Sequence, residues 1–216
     1  MKKQIFFFLV FISVLIVAGC QTQDQTAVKG EVDTVVGDVT LNGTNASVGD
    51  DIDYDDLIVT GTNSYCDIVF GKKDMFRIVG NSSVKIDISK NPSIIYIKNG
   101  QVAYVMGDLG GKGFVVETDV AVALVRGTVF TVVAEWTNQV YICTCNGSID
   151  FNFGKYGKTN ITAAHHVSIR LVKENDGSYA FLPSGLEYHD DEGVEALVDK
   201  IGLKIDWTKT DGLSDK

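Results

Sequence analysis

The sequence holds 216 residues, with 28 acidic against 19 basic side chains and a formal charge of −9. That length suits one or at most two domains with a real core, and the acidity argues against sequence-independent nucleic-acid binding and against attraction to anionic lipid. Two prolines, 22 glycines and few helical periods point to β structure.

In chain order, Lys2 and Lys3 precede an unbroken apolar run, Ile5–Val17, followed by Ala18-Gly19-Cys20. A positive start, an apolar centre and small residues before a cleavage point make residues 1–19 an export signal rather than a spanning helix. A cysteine directly after Val17-Ala18-Gly19 resembles a bacterial lipobox, so Cys20 is expected to be acylated and to open the mature chain. Several acyl chains on one residue give lasting attachment. The bacterial cell envelope is therefore the expected location, with the membrane as a first partner. Residues 20–30 read as a polar tether.

Short strands punctuated by Gly and Asn follow over residues 31–175, and the expected fold class is all-β. Val32, Val35, Val36, Val39 and Leu41 form a first pair around Gly37-Asp38. Leu57–Val59, Cys66–Phe70, Phe76–Val79 and Val84–Ile88 continue the pattern. Ile94–Ile97 and Val102–Met106 flank Asn99-Gly100, a tight-turn signal. Asn146-Gly147 repeats that signal 47 residues later. The recurrence suits either a solenoid-like stack of short strands or a sandwich with regular hairpins. GDLGGKG at Gly107–Gly113 has the composition of a phosphate loop but lacks its GK[ST] ending, and the strand Phe114–Glu117 stands where a helix is required.

The densest strand signal is AVALVRGTVFTVVA at Ala121–Ala134, with Arg126-Gly127-Thr128 interrupting a β-branched run. A glycine there marks a bulge or a close backbone approach, and an arginine there needs carboxylates or carbonyls to bind. Arg126 reads either as a clamp on neighbouring loops or as a ligand contact. VRGTVF resembles the VRGTxF signature of the FecR-type domain, an all-β extracytoplasmic module. VGDDIDYDDLIVTG at Val48–Gly61 is similar to an upstream segment of that family through Gly49, Asp50, Ile52, Asp56, Ile58 and Thr60. The resemblance spans about Thr34 to Phe151. It assigns Gly49, Asp50, Asp56, Thr60, Arg126, Gly127 and Thr128 as family motif residues with structural roles.

Beyond the motif, Ile161–Leu171 reads as one strand, with Ile161, Ala163, His165, Val167, Ile169 and Leu171 on one face. Residues 176–216 form an extension. In it Asp190-Asp191-Glu192 open a short helix with Val194, Leu197, Val198 and Ile201 at helical spacing and Gly202 beyond its end. The helix is expected to pack on the β body as a lid, with Trp207 closing the contact and the polar tail Thr208–Lys216 frayed.

No GxSxG, HExxH or complete nucleotide loop occurs, so no catalytic residue is assigned. One constellation carries chemistry. Cys143 and Cys145 point to the same face of a strand beside Tyr141, and His165-His166 follow across a turn. Two thiols and an imidazole on a neighbouring strand suit a soft or borderline metal such as zinc or copper. The other reading is that the thiols are simply buried, or that Cys66 pairs with one of them. No other cofactor is expected.

FecR proteins with a cytoplasmic arm, a membrane helix and a periplasmic domain relay signals to sigma factors. This sequence shows no second apolar run of membrane length, so that activity is not carried over. The resulting expectation is a non-enzymatic, envelope-anchored binding, scaffold or sensory module whose partner is another envelope protein or a glycan, and not nucleic acid. The rivals are a metal or redox carrier or enzyme built on Cys143, Cys145, His165 and His166, and a sensor signalling through a separate transmembrane partner.

Overall fold

The computed structural model describes residues 29–107, 113–125, 127–136, 138–152 and 157–216. The export signal, Cys20, nearly all of the tether, most of the GDLGGKG loop and Arg126 lie outside the described residues. Within them the chain runs β1 (Gly30–Val36), β2 (Val39–Leu41), β3 (Thr44–Asn45), β4 (Asp51–Ile52), β5 (Tyr54–Thr60), β6 (Tyr65–Phe70), β7 (Asp74–Val79), β8 (Ser83–Asp87) and β9 (Ser93–Met106). It continues with β10 (Phe114–Glu117), β11 (Val122–Val125), β12 (Val129–Trp136), β13 (Gln139–Asn152), β14 (Lys158–Ala163), β15 (Val167–Lys173), β16 (Tyr179–Pro183), α1 (Asp191–Lys200), β17 (Leu203–Ile205) and β18 (Leu213–Asp215). The architecture of the described residues is all-β with one short helix. Among the described residues no helix is long and apolar enough to cross a membrane.

The strands form two layers. The first has the order β4-β1-β6-β7-β9-β12-β13-β15-β16. The second has the order β3-β2-β5-β8-β9-β10-β11-β13-β14. Every ladder is antiparallel except β9–β10, so of the two expected architectures the chain adopts the sandwich-like one, not a stack of parallel coils. Alternating residues from both layers meet in one core that includes Ile68, Phe70, Phe76, Ile86, Ile95, Tyr104, Phe130 and Phe151.

Strands β9 and β13 belong to both layers, and this corrects the sequence reading at Asn99-Gly100 and Asn146-Gly147. Neither dipeptide is a hairpin turn. Each lies inside a 14-residue strand at the point where it bends from one layer into the other. Residues before Asn99 pair with β8 and β10, and residues from Gly100 onward pair with β7 and β12. The bend demands glycine. Gly100 and Gly147 have φ of 98° and 110°, and a Cβ on Gly147 would lie 2.9 Å from Gly127 O and 3.0 Å from Thr128 Cα. Gly37-Asp38 likewise joins strands of different layers, so β1 and β2 do not pair with each other.

The expected strand Ile161–Leu171 is two strands, because its partner is bent. β14 follows the second half of β13 and β15 follows the first, leaving Ala164–His166 to turn the corner. The helix forms where its apolar spacing predicts. Asp190 caps it, its carboxylate accepting from Gly193 N at 2.8 Å. Val194, Leu197 and Val198 seal a second, smaller core on the outer face of the first layer with Met75, Val105, Tyr141, Cys143 and Cys145. The tail is not frayed: β18 pairs with β17, and Lys73 forms an ion pair with Asp215 at 2.8 Å.

Candidate functional site

Strand alternation sends Val140 and Ile142 into the main core and Tyr141, Cys143 and Cys145 into the outer one. Opposite β12, Phe130 pairs with Thr144 and Val129 with Asn146, so Cys145 is the extra residue of a bulge. Its carbonyl is free of that ladder and accepts the His166 N–H at 3.0 Å. His166 has φ of 39°, a left-handed conformation, and the corner turns its ring back over the thiols.

The geometry is compact. Cys143 Sγ lies 3.4 Å from His166 Nδ1, Cys145 Sγ lies 3.3 Å from His189 Nε2, and the two sulfurs are 3.9 Å apart. All four donor atoms fall within 4.8 Å of one another. Asp191, the first residue of α1, holds the far side of the His166 ring, Oδ1 to Nε2 at 2.8 Å. Both cysteines are fully covered, and the His166 side chain is 9% exposed.

The electrostatics follow from this crowding. The Cys145 thiol donating toward it pulls the Cys143 thiol well below its ordinary value, with His166 and His189 adding to the effect against the opposing cost of burial. Burial pushes Cys145 up, and a neighbouring Cys143 anion pushes it further. For His166 burial favours the neutral ring, but Cys143 and Asp191 outweigh it and raise the pKa. The two shifts oppose one another, so the pair favours an anion at Cys143, beside an imidazole, over one at Cys145. Such a set can coordinate a cation, and a thiol with no exposed surface is poorly placed to attack a substrate.

Of the residues singled out from the sequence, Cys143, Cys145 and His166 come together and His165 does not join them. His165 is half exposed, its Nε2 3.0 Å from Asp191 Oδ2 and its ring 4.8 Å from that of Trp207. His189 was missed. Its signal lay in the sequence, which holds only three histidines, and in the helix expected to lie on the β body, because His189 immediately precedes the cap of that helix. Cys66 belongs to the main core on the opposite face of the first layer, where burial pushes its thiol up to about 12. It cannot bridge to either cysteine from there, and all three described cysteines are free.

The family motif residues support turns and corners. Gly49, at φ 93°, donates to Val32 O. The Asp50 carboxylate accepts from Ser47 N, and Asp56 accepts from Asn42 Nδ2 and Asp53 N. Thr60 Oγ1 donates to Val79 O and accepts from Ser82 N, while the Ser82 hydroxyl accepts from Gln101 N, bracing the bend at Gly100. Gly127, at φ 57°, leads into Thr128, whose Oγ1 donates to Ser148 O at 2.9 Å beside Gly147.

Residues 56–150 match the family model described as "FecR protein", a span that includes Asp56, Thr60 and the VRGTVF stretch and excludes Gly49 and Asp50. Among curated proteins the sequence has no match. The fold is similar to two crystal structures from Parabacteroides distasonis, each described as that of an anti-sigma factor. One, at 2.50 Å, shares 14% identity with a TM-score of 0.49, over 59% of this chain and 59% of that one. The other, at 1.65 Å, shares 12% identity with a TM-score of 0.50, over 67% of this chain and 74% of that one. The chain thus spans about three-fifths of the length of the first, and at these identities the likeness is one of fold. The family match and the motif residues inside it, Asp56, Thr60, Gly127 and Thr128, agree: this chain carries a FecR domain over residues 56–150.

Proposed function

We propose that the protein is a FecR-type sensory or binding module held at the bacterial cell envelope by lipid on Cys20. The observation that carries this reading is the FecR domain at residues 56–150, downstream of an export-type leader that ends in Ala18-Gly19-Cys20. A non-catalytic role is supported by the motif side chains, whose polar atoms are used in turns and corners, and by the full burial of Cys143 and Cys145. Its partners on this reading are the membrane, through the lipid, and another envelope protein or a glycan. The anti-sigma description of the Parabacteroides distasonis proteins favours a sensor that passes its signal to a separate membrane-spanning protein.

Two measurements test it. Cys20→Ser is expected to abolish labelling by a radioactive fatty acid and to leave uncleaved precursor or released protein. Unchanged labelling would remove Cys20 from the reading. Crosslinking in intact cells, followed by purification from detergent-solubilised membranes, is expected to retain a membrane-spanning protein with wild type and to lose it with Cys20→Ser.

A further inference from the structure

We propose that Cys143, Cys145, His166 and His189 together bind one zinc ion, and that this ion fastens the C-terminal extension to the β body. Two thiolates and two imidazoles are the donor set of a four-coordinate structural zinc site. Zinc–sulfur bonds of about 2.3 Å and zinc–nitrogen bonds of about 2.0–2.1 Å, arranged tetrahedrally, put sulfur–sulfur edges near about 3.8 Å and sulfur–nitrogen edges near about 3.5 Å. The protein presents a sulfur–sulfur edge of 3.9 Å and sulfur–nitrogen edges of 3.4 and 3.3 Å. Three of the six edges of a tetrahedral site are therefore already in place, and all four donors lie within 4.8 Å of one another.

The surroundings match that role. His166 would ligate through Nδ1 while its Nε2 stays on the Asp191 carboxylate, the outer support that orients a ligating imidazole. With both sulfurs covered and four protein donors, no position is left open for substrate or water, which marks the site as structural.

The ligands come from three parts of the chain: two from β13, one from the β14–β15 corner, and one from the segment between β16 and α1. His189 is 44 residues from Cys145 and one residue before the helix cap. Coordination would therefore close a long loop and hold the start of α1 against the first layer. Lys200 already holds the other end of the helix, its Nζ 2.6 Å from Asp67 Oδ2.

The test is a cobalt(II) titration of the full exported chain, purified under reducing conditions without chelating resin, read by absorption and by hydrogen exchange. In wild type, a near-ultraviolet thiolate-to-cobalt band and the visible bands of a tetrahedral site should saturate at one equivalent, be displaced by zinc, and slow exchange of the α1 amides. His189→Gln should weaken cobalt binding roughly tenfold or more, whereas His165→Gln should leave it unchanged. The wild-type titration stands whether or not a variant folds. Absence of a thiolate–cobalt band in reduced wild type would overturn the proposal, as would equal losses in the two histidine variants. A Cys143–Cys145 disulfide recovered from cells by alkylation and mass mapping would overturn it as well.

Discussion

Ser82 and Thr128 do the same work at two places in the molecule. Each is buried beneath a bend where a long strand changes layer, and each hydroxyl bonds the backbone N–H and C=O of the residue just past the bend, Gln101 for Ser82 and Ser148 for Thr128. The glycine above each brace has no spare room. Gly147→Ala would force a Cβ against the backbone of Gly127 and Thr128 at a φ of 110°, and it should cost on the order of 1–3 kcal/mol in urea denaturation. A wild-type midpoint for this variant would mean that the bend is looser than the contacts require. The same scale shows what the sequence could reveal about the thiol cluster. Strand alternation places Cys143 and Cys145 on one face and permits only one of two adjacent histidines to join them. Which one joins depends on the bulge at Cys145 and the left-handed His166, features of three-dimensional pairing that a period-2 pattern does not encode.

The helix is the element best read from sequence, because its cap, its acidic first turn and its apolar spacing are all local signals. Its burial is local too, in a core separate from the one between the layers. Leu197, 5% exposed, packs among Met75, Val105 and Leu203. Leu197→Ala is expected to remove about 2–5 kcal/mol of packing from that core. The loss should appear as faster hydrogen exchange in α1 and β17, with much less change in β6 and β7; uniform acceleration throughout would mean that the extension and body unfold as one unit. The strands were less legible. Asn-Gly requires positive φ whether it closes a hairpin or bends a strand, so the dipeptide alone could not separate the two. The misreading of Ile161–Leu171 has the same origin, since β14 and β15 divide where their partner bends.

Across the whole molecule, 28 acidic side chains raise the question of how the fold responds to acid. Glu135 gives a specific answer. Burial alone would raise its pKa, but Arg170, Tyr188 and Gln139 bond to the carboxylate and hold it below the ordinary value of 4.5. A depressed folded pKa means that the carboxylate stabilises the fold fully above about pH 4.5 and that this contribution fades as pH falls through the lower folded value. The urea midpoints of wild type and Glu135→Gln should therefore differ at about pH 6 and converge as the pH falls below about 4.5. A constant gap would show that the variant acts through packing rather than charge.

Asn146 has a consequence for where this chain can be cut. Its amide is 1% exposed; Nδ2 donates to Ala164 O and Lys209 O, and Oδ1 accepts from Gly212 N. Two of those three partners come from the last residues of the sequence, yet they are gripped inside the body, at the bend shared by both layers. Ending the chain between α1 and Lys209 would leave a covered amide with one partner where it had three, at a cost of about 1–3 kcal/mol for each buried group stranded. The segment that hydropathy marks as a dispensable tail is therefore a plug, and a shortened product should be judged by the hole it leaves at Asn146 rather than by the few residues it lacks.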